Sequence, residues 1–137
     1  MRRPPGVLFL CVHNAGRSQI GAGWLRHLAG DRIRVLSAGS SPSETVNPTA
    51  VEAMAEVGVD ISSNRPQLWT EAMVRDVDVV VSMGCGDECP VHSGTQRLDW
   101  QLEDPAGQGV EMVRGVRDEI QTLVEELLED LLDEEDS

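Results

Sequence analysis

Apolar residues follow two alternating rhythms along this chain, and the switch between them recurs from end to end. Gly6 to Val12 is a short, continuous apolar run after a Pro-Pro breaker, the pattern of a strand buried on both faces. The next stretch changes period: Ile20, Trp24, Leu25 and Leu28 share one stripe, which predicts a helix from Arg17 to about Ala29. Ile33 to Ser37 reads as a second short strand, ended by the turn-forming cluster Gly39 to Pro42. Asn47 and Pro48 then make an N-cap and first-turn pair, Ala50, Val51 and Met54 supply a stripe, and Gly58 fits a C-terminal cap. Thr70 can cap a short third helix through about Arg75. VDVVVSM, from Val77 to Met83, is the strongest buried-strand signal, and Arg97 to Leu102 is a weaker fourth strand. From Val110 to Leu132 the residues Val113, Val116, Ile120, Leu123, Leu127 and Leu131 recur every three or four positions, predicting a long amphipathic closing helix.

Strands alternating with helices imply an α/β fold: a single-domain three-layer α/β/α sandwich on a four-stranded parallel sheet, joined by right-handed crossovers. The chain has 137 residues, 40% of them apolar, which suits one core; neither a repeat nor a linker interrupts it. The domain is expected to occupy residues 1–132, with 133–137 as an acidic C-terminal tail. In such sheets ligands bind beyond the carboxyl ends of the strands, where the loop after strand 1 must lie.

Charge narrows the partners. The net charge is −13, yet ten of the 24 acids fall in residues 118–137, a stretch without a base, so the body is nearly balanced. Such a surface repels nucleic acid, and neither an export signal nor a run of membrane-spanning length is visible, so neither nucleic acid nor membrane is an expected partner. Three cysteines make no disulfide framework and point to a reducing cytoplasm, where thiols serve chemistry or packing.

That directs attention to VLFLCVHNAGRS, residues 7–18, a strand that ends in Cys11 with an arginine six positions on. A loop passing from strand into helix aims several backbone N–H groups at one point, and the helix N-terminus adds partial positive charge. Val12, His13, Asn14, Ala15, Gly16, Arg17 and Ser18 would form such an oxyanion cradle. Arg17 offers a planar fork matched to tetrahedral oxyanions, while Gly16 and Asn14 tolerate left-handed backbone. An ordinary thiol is only about three per cent ionised at neutral pH, so Cys11 becomes a strong nucleophile if the cradle favours its thiolate. Ser18 stands where it can donate a hydrogen bond to the sulfur. Taken alone, the spacing also admits a buried strand-end thiol beside a surface arginine, and Cys11, His13, Cys85 and Cys89 form a loose alternative set of zinc ligands.

The segment VLFLCVHNAGRSQ resembles the phosphate-binding loop of the low-molecular-weight protein tyrosine phosphatase fold and, more narrowly, of the arsenate reductases that share it. VLSAGS at 35–40, AVEAMAEVGVDISSNRPQLW at 50–69, VDVVVSMGCGDECPV at 77–91 and LDWQLEDPAGQGVEMVRGVRDEI at 98–120 extend the likeness over nearly the whole chain. The resemblance implies Cys11 as nucleophile, Arg17 as oxyanion clamp, Asn14 and Ser18 as loop organisers and Asp104 as general acid. Protonation of a departing oxygen by a carboxyl on a nearby loop agrees with that last role, although Asp-Pro also opens ordinary turns.

A phosphatase hydrolyses the cysteinyl adduct with water, whereas a reductase needs a further thiol to deliver electrons. The chain has no tyrosine and a single phenylalanine, Ala106 and Gly107 follow Asp104-Pro105, and Cys85 and Cys89 lie just past the VDVVVSM strand. These features favour arsenate reduction over the alternative, hydrolysis of phosphotyrosine or small phosphate esters. The spacing CGDEC and Ala22, where part of the thioredoxin-coupled branch has an acid for potassium, depart from the internal thiol relay. MGCGDECP is more similar to the actinobacterial branch that uses mycothiol with a mycoredoxin, a glutaredoxin-like partner. The expected ligands are therefore arsenate, with phosphate or sulfate as analogues, and an external thiol reductant, mycothiol or the thioredoxin system, with no tightly bound cofactor or metal. Cys85 and Cys89 are candidate redox thiols; His27 and His92 are expected to take no catalytic part, and Trp100 to serve core packing. A non-catalytic oxyanion-binding module is the third reading.

Overall fold

A computed structural model describes residues 4–84 and 95–136, with side chains through residue 132. Cys85, Cys89 and His92 therefore lie outside the described residues. The elements run β1 (Gly6–Cys11), α1 (Arg17–Ala29), a 3₁₀ turn (Gly30–Arg32), β2 (Arg34–Gly39), α2 (Pro48–Ala55), α3 (Glu71–Asp76), β3 (Val79–Ser82), β4 (Gln96–Asp99) and α4 (Val110–Asp136). All strand pairs are parallel, in the order β2-β1-β3-β4. The chain is a single α/β domain on a four-stranded parallel sheet, as its alternating periodicities predict.

The continuous apolar run of β1 is explained by burial on both faces. Val7, Phe9 and Cys11 point into the larger core with Ile20, Trp24 and Leu25 of α1, Met54 of α2 and Ile120 of α4. Leu8 and Leu10 point the other way, onto Val74 and Val77 around α3. The strand order reverses direction between β1 and β3, so the loop after β1 opens into the crevice where ligands of such sheets are held.

The caps follow the sequence. The Asn47 side chain accepts a 2.9 Å hydrogen bond from the Thr49 N–H ahead of Pro48, and the Thr70 hydroxyl accepts one of 3.2 Å from Met73 N–H. Helix α2 closes at Ala55, and the chain turns through Gly58 at φ +82°, with Val59 N–H donating back to Met54 at 3.0 Å.

Strand β1 ends at Cys11, one residue short of expectation, and four other elements differ more. Strand β2 starts at Arg34 and reaches Gly39; Ile33 is buried in the core without joining the ladder. Strand β3 is limited to Val79–Ser82, because Val77 closes α3 and Asp78 is occupied with both polar groups of the Gly6 backbone. Strand β4 is Gln96–Asp99 and not 97–102: Trp100 makes one last bond to Ser82, then its ring leaves the ladder to pack at 5.9 Å on Phe9. On α4, Val124 is fully buried while Leu123 is half-exposed, and the helix continues to Asp136, beyond the predicted end at Leu132. No helix among the described residues is long and apolar enough to cross a membrane.

Candidate active site

The loop from β1 into α1 is shaped by what becomes of its carbonyl groups. Cys11, Val12, His13 and Ala15 accept from the N–H groups of Ser40, Ser41, Ser43 and Asn47, so the segment after β2 is stitched along the loop's outer side. The Asn14 carbonyl accepts from Gln19 Nε2 at 3.0 Å and that of Gly16 from Ile20 N–H at 2.9 Å. In a trans peptide the N–H points opposite to the preceding carbonyl. With every carbonyl from Cys11 to Gly16 turned outward, the amides of residues 12–17 present their N–H edges to the inner side. Converging N–H groups of this kind have the geometry of an anion-binding nest.

Two close approaches make this possible. A β-carbon on Gly39 would sit 2.6 Å from the Val12 carbonyl oxygen and 3.0 Å from that of Cys11, so only glycine lets β2 run this near the loop. A β-carbon on Gly16 would sit 2.9 Å from Pro105 Cγ, which places the buried proline of an otherwise exposed Asp-Pro turn directly on the loop.

Cys11 is 2% exposed, at the base of a cavity of about 300 Å³ that also takes in Arg17 and Asp104. Its Sγ lies 2.9 Å from Ser18 Oγ, and Ser18 Oγ accepts from Asn14 Nδ2 at 2.7 Å. Asn14, at φ +50°, is the one non-glycine residue with positive φ among the described residues, as its tolerance of that region predicts. Arg17 is 7% exposed, and its Nη2 faces Asp104 Oδ2 at 3.6 Å. Asp104 divides its carboxylate: Oδ1 accepts the Ala106 N–H at 3.0 Å, closing the turn, while Oδ2 looks toward Arg17. The turn-forming and site-facing readings of this residue hold together.

The structure thus gathers Cys11, Asn14, Arg17, Ser18 and Asp104 into one place. His13 also lines the cavity, with Nδ1 3.2 Å from the Ser41 carbonyl oxygen. His27 lies apart, edge-on to Trp24 at 6.3 Å, and Trp100 belongs to the core rather than the cavity wall. Of the zinc alternative only Cys11 and His13 fall among the described residues, where no group of three or more ligand-type side chains occurs.

Sequence reading missed the opposite wall, Ser43, Thr45 and Asn47, which the carbonyl stitching carries against the loop. It also missed Gly84, which lies against the Arg17 guanidinium, Gln19 and Gln67, which hydrogen-bond Asn14, and Asn64, which bonds Gln19. Gln19 closes the quoted motif; nothing local marks the others.

Residues 6–137 match the family model described as low molecular weight phosphotyrosine protein phosphatase. The chain belongs to this family. Within it, a glutaredoxin arsenate reductase of Synechocystis is 42% identical over 89% of the chain and 95% of its own length. A thioredoxin-dependent arsenate reductase of Corynebacterium glutamicum superposes with a TM-score of 0.85 at 41% identity, covering 96% of this chain. This chain spans 64% of the length of that protein. An arsenate reductase solved in a phosphate-binding state gives a TM-score of 0.85 at 39% identity, over 93% of this chain and 98% of the other. The fold is thus the low-molecular-weight phosphatase fold anticipated from the opening loop.

Proposed function

We propose that this family member is an arsenate reductase in which Cys11 is the nucleophile, Arg17 the oxyanion clamp and Asp104 the general acid. One observation carries the reading: a buried cysteine sulfur stands inside a nest of outward-stitched carbonyls, with a guanidinium and a carboxylate in the same cavity. In the first step Sγ attacks As(V); an S–As bond forms, an As–O bond breaks, and Asp104 gives its proton to the departing oxygen, which leaves as water. Arg17 and the loop N–H groups neutralise the charge on the remaining oxygens.

Reduction needs two thiols, which end as a disulfide while As(V) gains their electron pair and leaves as arsenite. The named relatives, one called a glutaredoxin enzyme and the other thioredoxin-dependent, support a thiol-disulfide partner. The finer reading is the external route in a reducing cytoplasm: mycothiol takes arsenate from Cys11 as an arseno-thiol adduct, and a mycoredoxin thiol then attacks its sulfur. Supporting it are the short spacing of Cys85 and Cys89 and the Ala22 substitution. The cavity wall agrees with a small inorganic substrate, since Ser43, Thr45, Ala106 and Gly107 line it and, among the described residues, no phenylalanine, tyrosine or tryptophan ring does.

The deciding experiment measures arsenite release from arsenate with mycothiol and mycoredoxin, in parallel with thioredoxin and with an aryl phosphate as competing substrate class. Release that is abolished by Cys11→Ser and survives Cys85→Ser with Cys89→Ser supports the external route. Release that requires Cys85 and Cys89 with thioredoxin would replace it by an internal relay. Efficient aryl phosphate hydrolysis without arsenite formation would return the chain to the phosphatase reading, and arsenate binding without turnover to an oxyanion-binding module.

A further inference from the structure

The hydrogen bonds that end at Cys11 have a direction, and it is set by groups that can act in only one way. Gln67 N–H is a donor only, and it lies 3.0 Å from Asn14 Oδ1; this fixes the Asn14 amide with Nδ2 toward Ser18. Ser18 Oγ must then accept at 2.7 Å, and its single proton is left for Cys11 Sγ at 2.9 Å. The Asn14 carbonyl is an acceptor only, and it receives Gln19 Nε2 at 3.0 Å; this fixes the Gln19 amide with Oε1 toward Asn64, whose Nδ2 donates at 3.1 Å.

Two arms therefore meet on Asn14, and both start on the segment between α2 and α3. One enters through its side chain from Gln67, which is itself held by Gln67 Nε2 donating to Ser37 at 2.8 Å and by Gly39 N–H donating to Gln67 O at 2.9 Å. The other enters through its main chain from Gln19. The carbonyl that Gln19 occupies lies four residues before Ser18, the position a serine hydroxyl commonly bonds to near a helix start. Gln19 thus holds Asn14 in its left-handed conformation and engages a carbonyl of the kind that would compete for the Ser18 proton. Gln19 is fully buried and lines no part of the cavity, so it cannot touch substrate.

We infer that Gln19, oriented by Asn64, is a positioning residue that commits the Ser18 proton to the Cys11 sulfur and so raises the reactivity of the nucleophile. The inference rests on Cys11 being the nucleophile but needs neither arsenate nor a reductant for its test. In full-length protein, iodoacetamide labelling of Cys11 is followed by peptide mass spectrometry at pH 7 and pH 10, without oxyanion. Gln19→Met keeps the volume and removes the donor; Asn64→Leu, at a half-buried site, removes only the anchor of Gln19. Both are expected to lower labelling at pH 7 relative to pH 10, Gln19→Met by about fivefold. In a Ser18→Ala background, neither is expected to lower the ratio further. Near-native thermal unfolding with an unchanged labelling ratio would overturn the inference, as would an equal loss with Ser18 already removed, which would mean general loosening of the loop. If Gln19→Met fails to fold, Asn64→Leu carries the same test. Failure of arsenite formation with this labelling pattern intact would count against the proposed activity and leave the relay standing.

Discussion

Gly84 and Arg17 are in direct contact: the glycine, at φ +96°, lies beneath the guanidinium, whose central carbon is 3.1 Å from where a β-carbon on residue 84 would stand. The chain just past β3 thus supports the side chain proposed as the oxyanion clamp. Gly84→Ala meets both a steric conflict and a left-handed backbone that costs about 1–2 kcal/mol for an alanine. Calorimetry with phosphate should show affinity weakened by about tenfold or more. Unchanged affinity would mean that the guanidinium does not hold the oxyanion.

Asp104 combines a turn bond to Ala106 with a carboxylate oxygen facing Arg17. Asp104→Asn keeps an oxygen for the turn and removes the acid. Turnover should fall by about a hundredfold or more while phosphate affinity stays within about threefold of the parent. Arsenite formation at the parental rate would remove Asp104 from the chemistry.

Gly39 tests the packing that aims the loop. Its absent side chain would meet the Val12 and Cys11 carbonyl oxygens, which are backbone atoms already engaged by Ser41 and Ser40. Gly39→Ala should cost about 1–3 kcal/mol in urea unfolding and lower phosphate affinity in parallel, because the obstructed atoms belong to the nest. Lost stability with full affinity would show that the loop tolerates displacement.

Away from the site, Arg114 donates to both Glu56 oxygens, its Nη2 at 2.6 Å, and Arg117 Nη1 donates to Oε1 at 2.9 Å, clamping α4 to the end of α2. These bonds, Arg114 first, hold the Glu56 carboxyl at about 2, below its ordinary 4.5. A depressed carboxyl stabilises the fold above its unfolded value and loses that contribution as pH falls through the folded one. Glu56→Gln should therefore be less stable than the parent at pH 7, with a gap constant down to about pH 4.5 and closing toward pH 2. Thermal melts across that range provide the check, and a gap that persists at pH 2 would show that it does not come from the charge.

Much of this molecule is legible locally. The apolar run of β1, the stripe of α1 and the caps Asn47 and Thr70 are consequences of short-range periodicity and backbone satisfaction, so they could be read without coordinates. The same holds for the loop Cys11 to Ser18, because a strand, a glycine-containing turn and a helix start lie within one continuous stretch. Strand ends were less accessible: whether Trp100 stays in the ladder depends on Phe9, a core neighbour brought near by the fold.

What the sequence by itself determined was the α/β alternation and the strand-loop-helix stretch that carries Cys11 and Arg17, since these depend on residues adjacent in the chain. The tertiary structure decided how they are oriented. Gly39 and Gly84 are small because other elements pass within contact distance, and Gln67 directs a proton toward Cys11 from a segment more than fifty residues away in the chain. Hydrogen-bond direction and close approach arise from long-range juxtaposition, and no pattern of neighbouring residues encodes either one.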